Sequence, residues 1–225
     1  MDEAEINISK ANSLTDNEIE DDLLSAAQSG INYAKKHPVN QSKLDYLESS
    51  QEFERIIINR TVEDELLSYL YNLKNKQLEC TRDARYGNGF CSKDFKLFQD
   101  NSKIISTLAN DIEKICKKEL QKEEIIFCDS FFNIFTSGSG ATKHNHIKNH
   151  DKNFNLSLHK YSLVYYLNIG DQQGEDPGIL KLYEPEEDIL PTNGMIIIID
   201  GQKNHSVSYR GNKDRVMIGV NFYGF

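Results

Sequence analysis

From about residue 125 onward the apolar positions fall in short runs of strand length, separated by Gly, Pro, Asn and Asp. Strands of four to eight residues bounded by turn residues give this pattern. The clearest are 162–168, 178–183 and 195–199, followed by a last strand that Arg215 opens. Residues 124–135 alternate, with Ile126, Cys128, Ser130 and Phe132 on one side and Phe127, Phe131, Asn133 and Phe135 around the other. Upstream, the period lengthens. Ile104, Ile105, Leu108, Ile112, Ile115 and Cys116 repeat at helical spacing and predict a helix over 101–120. Residues 62–76 predict another, capped by Thr61, after a first strand at 55–58. Residues 81–94 and 184–191 read as loops, and the polar stretch 147–160 as a third; no helical pattern follows Leu120. Six or so strands with turns between them describe a double-sheet jelly roll or cupin-like barrel.

The first 54 residues carry a different signal. Residues 1–17 are acidic and aperiodic, which predicts a frayed or disordered tail. Residues 18–36 and about 41–53 show helical stripes, separated by Pro38, and predict a small helical lead-in spanning 18–54. The main domain is then 55–225, and the class is α+β: a double-stranded β-helix core with N-terminal helices packed on it.

Five of the six histidines lie beyond residue 142. Side chains two apart on an extended strand project to one side, so His144 and His146 can hold one ion. His205 follows the Met195–Ile199 run, and Arg215 comes ten residues later, with Met217, Gly219 and Asn221 on its face. A guanidinium beside a metal-bearing strand holds a carboxylate through paired hydrogen bonds. His37 and His159 have no patterned partner and read as surface residues; His150 reads as solvated or substrate-facing. Arg82, Arg85 and Tyr86 are candidates for touching a substrate.

Composition narrows the classes. A net charge of −9 argues against a nucleic-acid partner. The absence of a long apolar run or a basic–apolar leader argues against a membrane partner and for a cytoplasmic protein. Cys80, Cys91, Cys116 and Cys128 form no CxxC pair, so reduced thiols are expected.

Residues 125–225 resemble the Fe(II)- and 2-oxoglutarate-dependent dioxygenases, nearest the oxygenases whose first ligand pair reads His-x-His, with features shared by prolyl hydroxylases. The resemblance rests on the order of several pieces: Asp129-Ser130-Phe131-Phe132-Asn133-Ile134-Phe135, His144-Asn145-His146, Ser162 through Asn168, Pro177 through Pro185, Leu190 through Gly194, His205, and Asp214 through Ile218. It implies that His144, His146 and His205 bind Fe(II), that Arg215 and the Tyr166 hydroxyl hold the distal carboxylate of 2-oxoglutarate, and that Asn133 and Asn221 contact the co-substrate or support the ligands. It further implies an enzyme of the EC 1.14.11 type. Such an enzyme hydroxylates an unactivated C–H of a small molecule or peptide with O2, releasing succinate and CO2, with ascorbate as reductant. Most of the superfamily has a carboxylate where His146 stands, so Asp151 is an alternative third ligand if its loop folds back. A three-histidine cupin dioxygenase without 2-oxoglutarate and a non-enzymatic jelly-roll binding module remain open, as does a homodimer.

Overall fold

A computed structural model describes residues 55–73, 75–77 and 84–225, together with Gln28 and Asn32. The expected tail, most of the helical lead-in, Arg82, His37 and Cys80 lie outside the described residues. Two antiparallel sheets face each other. The larger has seven strands: β1 (Ile56–Asn59), β2 (Asn75–Gln77), β4 (Phe90–Ser92), β5 (Ile125–Phe135), β7 (Lys160–Asn168), β10 (Met195–Asp200) and β12 (Arg215–Gly224), ordered β1-β10-β7-β12-β5-β4-β2. The smaller has β3 (Arg85–Tyr86), β6 (Ser139–His144), β8 (Pro177–Leu182), β9 (Glu187–Ile189) and β11 (His205–Tyr209), ordered β3-β6-β11-β8-β9.

The larger sheet is covered on both faces, which explains its continuous apolar runs. In β10, Ile196 and Ile198 join the cluster under the helices, while Ile197 and Ile199 pack between the sheets. In β12, Val216, Ile218, Val220 and Phe222 likewise take the helix side. Helix α2 (Lys103–Leu120) lies on that side and buries Ile105, Leu108 and Ile112, each worth about 1.5–3 kcal/mol of apolar burial. Ser102 caps it, accepting from the Ile105 amide, and Gln121 ends it in the left-handed conformation.

Several expectations are corrected. Helix α1 spans Asp64–Asn72, and its cap position is Glu63, without a side-chain cap, instead of Thr61. The chain turns extended at Leu73, and Asn75–Gln77 pairs with Phe90–Ser92 as a strand. Residues 84–94 therefore contain two strands, and the acidic 184–191 stretch contains β9; sheet pairing overrides their polar composition. Within 147–160 lies a short helix, α3 (Asn149–Asn153), whose first turn is held by the Asp151 carboxylate accepting from the Lys148 amide. In β5 the register against β12 slips between Asp129 and Phe127. The extra residue, Cys128, flips the alternation. Phe127 therefore faces the helices with Phe132, and Ile126 and Cys128 pack with Leu156 and Phe225. His159 is half-buried with its ring against Phe225. Cys91, Cys116 and Cys128 are free thiols.

Candidate metal and carboxylate site

His144 ends β6 and His205 opens β11, and the two are paired across the smaller sheet. Two residues past the strand, the His146 amide donates to the Gly201 carbonyl at 2.9 Å, which keeps the chain extended there. One nitrogen from each ring lies within 4.8 Å of the others. His144 Nδ1 sits 2.6 Å from the Thr142 carbonyl and His205 Nδ1 3.0 Å from the Lys203 carbonyl. A carbonyl only accepts, so both protons belong on Nδ1, and both Nε2 lone pairs are free to ligate. His146 Nε2 and His205 Nε2 stand 3.3 Å apart.

Burial lowers all three imidazoles. His205 falls to about 4, with His144 nearby adding to the effect, and His146 falls well below its ordinary value. The rings are neutral at pH 7, as ligands must be. Converging, carbonyl-tethered neutral nitrogens fit a divalent transition-metal ion.

Asp151 is not part of this cluster. It is fully buried, and its carboxylate accepts from Lys160 Nζ at 2.8 and 3.0 Å, from the Lys148 amide at 2.6 Å and from the Tyr223 hydroxyl. Desolvation raises its pKa, yet these donors outweigh it and leave the carboxyl below its ordinary value. The alternative in which Asp151 ligates the metal is therefore corrected: its oxygens are already saturated by a structural network.

Arg215 is fully buried at the other end of the barrel interior. Its guanidinium lies 5.0 Å from the Tyr166 ring and 5.6 Å from the Tyr209 ring, and Nη1 donates to the Pro177 carbonyl at 3.3 Å. Nε and Nη2 are buried without a hydrogen-bond partner among the described residues. A buried cation with unmet donors calls for an anion. Burial lowers Arg215 and raises Tyr166, while the attraction between guanidinium and phenol opposes both shifts. Gly178, at φ +82°, makes room: a Cβ there would stand 1.4 Å from Nη1.

Between the two lies a cavity of about 350 Å³. The three histidines, Tyr166, Asn133 and Asn221 line it, but Arg215 stands just beyond its end. Arg85 also lines it, whereas Tyr86 donates to the Val207 carbonyl in the sheet. His150 does not line it, nor do residues 171–176, and Pro177 backs Arg215. Sequence reasoning missed Asp129, Phe131, Ser162 and Lys148 as lining residues. Counting back by twos from Asn133 along β5 would have found Asp129 and Phe131.

No protein-family model matches the chain, and no curated protein matches it. Solved structures do. A viral collagen prolyl hydroxylase from Paramecium Bursaria Chlorella virus-1, in complex with 2-oxoglutarate, aligns at TM-score 0.56 and 12% identity, over 76% of this chain and 96% of that one. A Pseudomonas putida prolyl-4-hydroxylase aligns at 0.52 and 16%, over 76% and 92%. HygX from Streptomyces hygroscopicus, with nickel and 2-oxoglutarate bound, aligns at 0.56 and 10%, over 83% and 87%. The chain thus shares the double-stranded β-helix fold of these proteins. On that fold this chain carries three histidines as its candidate metal cluster.

Proposed function

We propose that the protein is an Fe(II)- and 2-oxoglutarate-dependent dioxygenase. The observation that carries this reading is the pairing, inside one barrel, of three neutral histidines with a buried arginine whose Nε and Nη2 lack hydrogen-bond partners among the described residues. His144, His146 and His205 would hold the metal through nitrogens freed by the Thr142 and Lys203 carbonyls. Arg215 would grip the distal carboxylate of 2-oxoglutarate, with the Tyr166 hydroxyl donating beside it. Bound iron supplies the redox chemistry of dioxygen, and the balance is R–H + O2 + 2-oxoglutarate → R–OH + succinate + CO2. The protein's own part is positioning: the apolar wall of Leu180, Val207 and Met217 keeps water from the path between Arg215 and the histidines.

A three-histidine dioxygenase working without a keto acid would leave Arg215 as a buried, half-satisfied cation with no task, which costs stability for nothing. The deciding assay is succinate release with Fe(II), ascorbate and 2-oxoglutarate. Wild type is expected to turn over 2-oxoglutarate slowly even without a primary substrate, and Arg215→Ala to abolish this while retaining metal. Oxygen consumption independent of 2-oxoglutarate would transfer the assignment to the cupin class. Failure to bind either metal or keto acid would make the protein a binding module.

A further inference from the structure

The cavity floor is built from three rows across β5, β12 and β7. The pairs run Asn133–Met217–Tyr166, then Phe131–Gly219–Val164, then Asp129–Asn221–Ser162. Successive rows are two residues apart, about 7 Å. Arg215 lies outside the first row, and Asn221 is six residues along the same strand, roughly 20 Å away at strand rise. A five-carbon diacid anchored at Arg215 cannot reach the third row, so that row is free for another molecule.

Its chemistry is specific. Asn221 is 5% exposed, and its Nδ2 is committed to Asp129 Oδ2 at 3.2 Å. That bond fixes the amide so that Oδ1 is left buried in the cavity wall without a hydrogen-bond partner among the described residues. A buried amide oxygen beside a carboxylate wants a multiply donating cation. Lys148 Nζ already sits 3.2 Å from Asp129 Oδ2, so an ammonium is accommodated here, and that lysine side chain is half-exposed and able to leave. One row away, the Arg85 guanidinium lies 5.5 Å from the Phe131 ring centroid and 4.8 Å from that of Phe95, with Nη1 3.4 Å from Asn133 Oδ1. Arg85 is 9% exposed and lines the cavity. Phe131 itself lies against Gly219, where a Cβ would come within 2.4 Å of the ring. An acceptor pair and a guanidinium thus flank one aromatic floor tile at a separation of about one row.

We propose that this end of the cavity binds a free α-amino acid as a zwitterion. Its ammonium docks on Asp129 and the Asn221 Oδ1, its carboxylate on Arg85, and its side chain points at the three histidines. Calling that amino acid the substrate rests on the oxygenase reading; its binding does not.

The test is saturation-transfer NMR on the full chain, with and without Zn(II), against the twenty protein amino acids, then against the N-acetyl and carboxamide derivatives of those that bind. At least one amino acid is expected to bind, with both derivatives weakened tenfold or more. Asn221→Ala and Arg85→Gln should each lose binding tenfold or more, and Asp129→Asn should stop discriminating the N-acetyl form. 2-Oxoglutarate binding, measured on the same samples, should not change. Binding of none of the twenty, or equal binding of the derivatives to wild type, overturns the proposal. Failure of 2-oxoglutarate binding alone overturns the oxygenase reading and leaves this one standing.

Discussion

Gly178→Ala is a sharp probe of the proposed carboxylate clamp, because it perturbs Arg215 without touching a charge. At φ +82° the alanine costs about 1–2 kcal/mol of backbone strain, and its Cβ would stand 1.4 Å from Nη1, a separation no rotamer adjustment of a methyl can relieve. The guanidinium must move. It is wedged between the Tyr166 and Tyr209 rings, so it moves as a body and loses its aim. Disrupting a buried charge-assisted pair costs about 2–5 kcal/mol, and each 1.4 kcal/mol is tenfold, so 2-oxoglutarate affinity should fall roughly 30-fold at least. The assay is isothermal titration of 2-oxoglutarate into the Mn(II)-loaded chain, beside a Mn(II) titration of the same variant. The histidines lie at the other end of the cavity, so metal affinity should hold. Should the variant bind 2-oxoglutarate as wild type does, or lose metal and keto acid in parallel, the clamp is misassigned. Arg215→Gln provides the control if the alanine variant does not fold.

Asp151→Ala should cost about 3–5 kcal/mol in chemical denaturation, because it strands Lys160 as an unpaired buried charge. Whatever folded fraction remains should bind metal with wild-type affinity. Metal-free protein should lose stability as pH falls: burial depresses His205 from 6.5 to about 4, so the unfolded chain takes up its proton first. That contribution is complete above about 6.5 and fades down to about 4, on the order of 3 kcal/mol for this ring, readable in urea midpoints across that window. Ser102→Ala should remove the α2 cap and about 1 kcal/mol, lowering the melting temperature by roughly 2–4 °C.

The strand-rich half was legible because its sheet is buried on both faces, so runs such as Ile196–Ile199 announce themselves. The α2 stripe was legible because one face meets a sheet and the other meets water. What failed were short polar edge strands: Asn75–Gln77, Phe90–Ser92 and Glu187–Ile189 take their conformation from pairing partners far away in sequence. The bulge at Cys128 leaves no local mark, and so the two sides of β5 were misdrawn. At the site, spacing pointed to His144, His146, His205 and Arg215. It could not show that Asp151 is consumed by Lys160 and Tyr223, since that network joins residues 72 positions apart.

The missing carboxylate has a consequence for the whole cavity. Three neutral imidazoles leave a bound divalent ion with both of its charges, and the only nearby buried carboxylate in the loop, Asp151, is neutralised by Lys160. Arg215 and Arg85 add two more positive charges around the cavity, against Asp129, which Lys148 already offsets. A dianion between the metal and Arg215 offsets two of the three positive charges at that end. At an effective dielectric of about 20, two unit charges 4 Å apart interact by about 4 kcal/mol, so metal and keto diacid should strengthen each other's binding markedly. By linkage the factor is the same in both directions. A molecule that brings a carboxylate to Arg85 and an ammonium to Asp129 adds no net charge. On the proposed reading, the histidine in place of the usual acid is matched by a co-substrate that carries negative charge in with it.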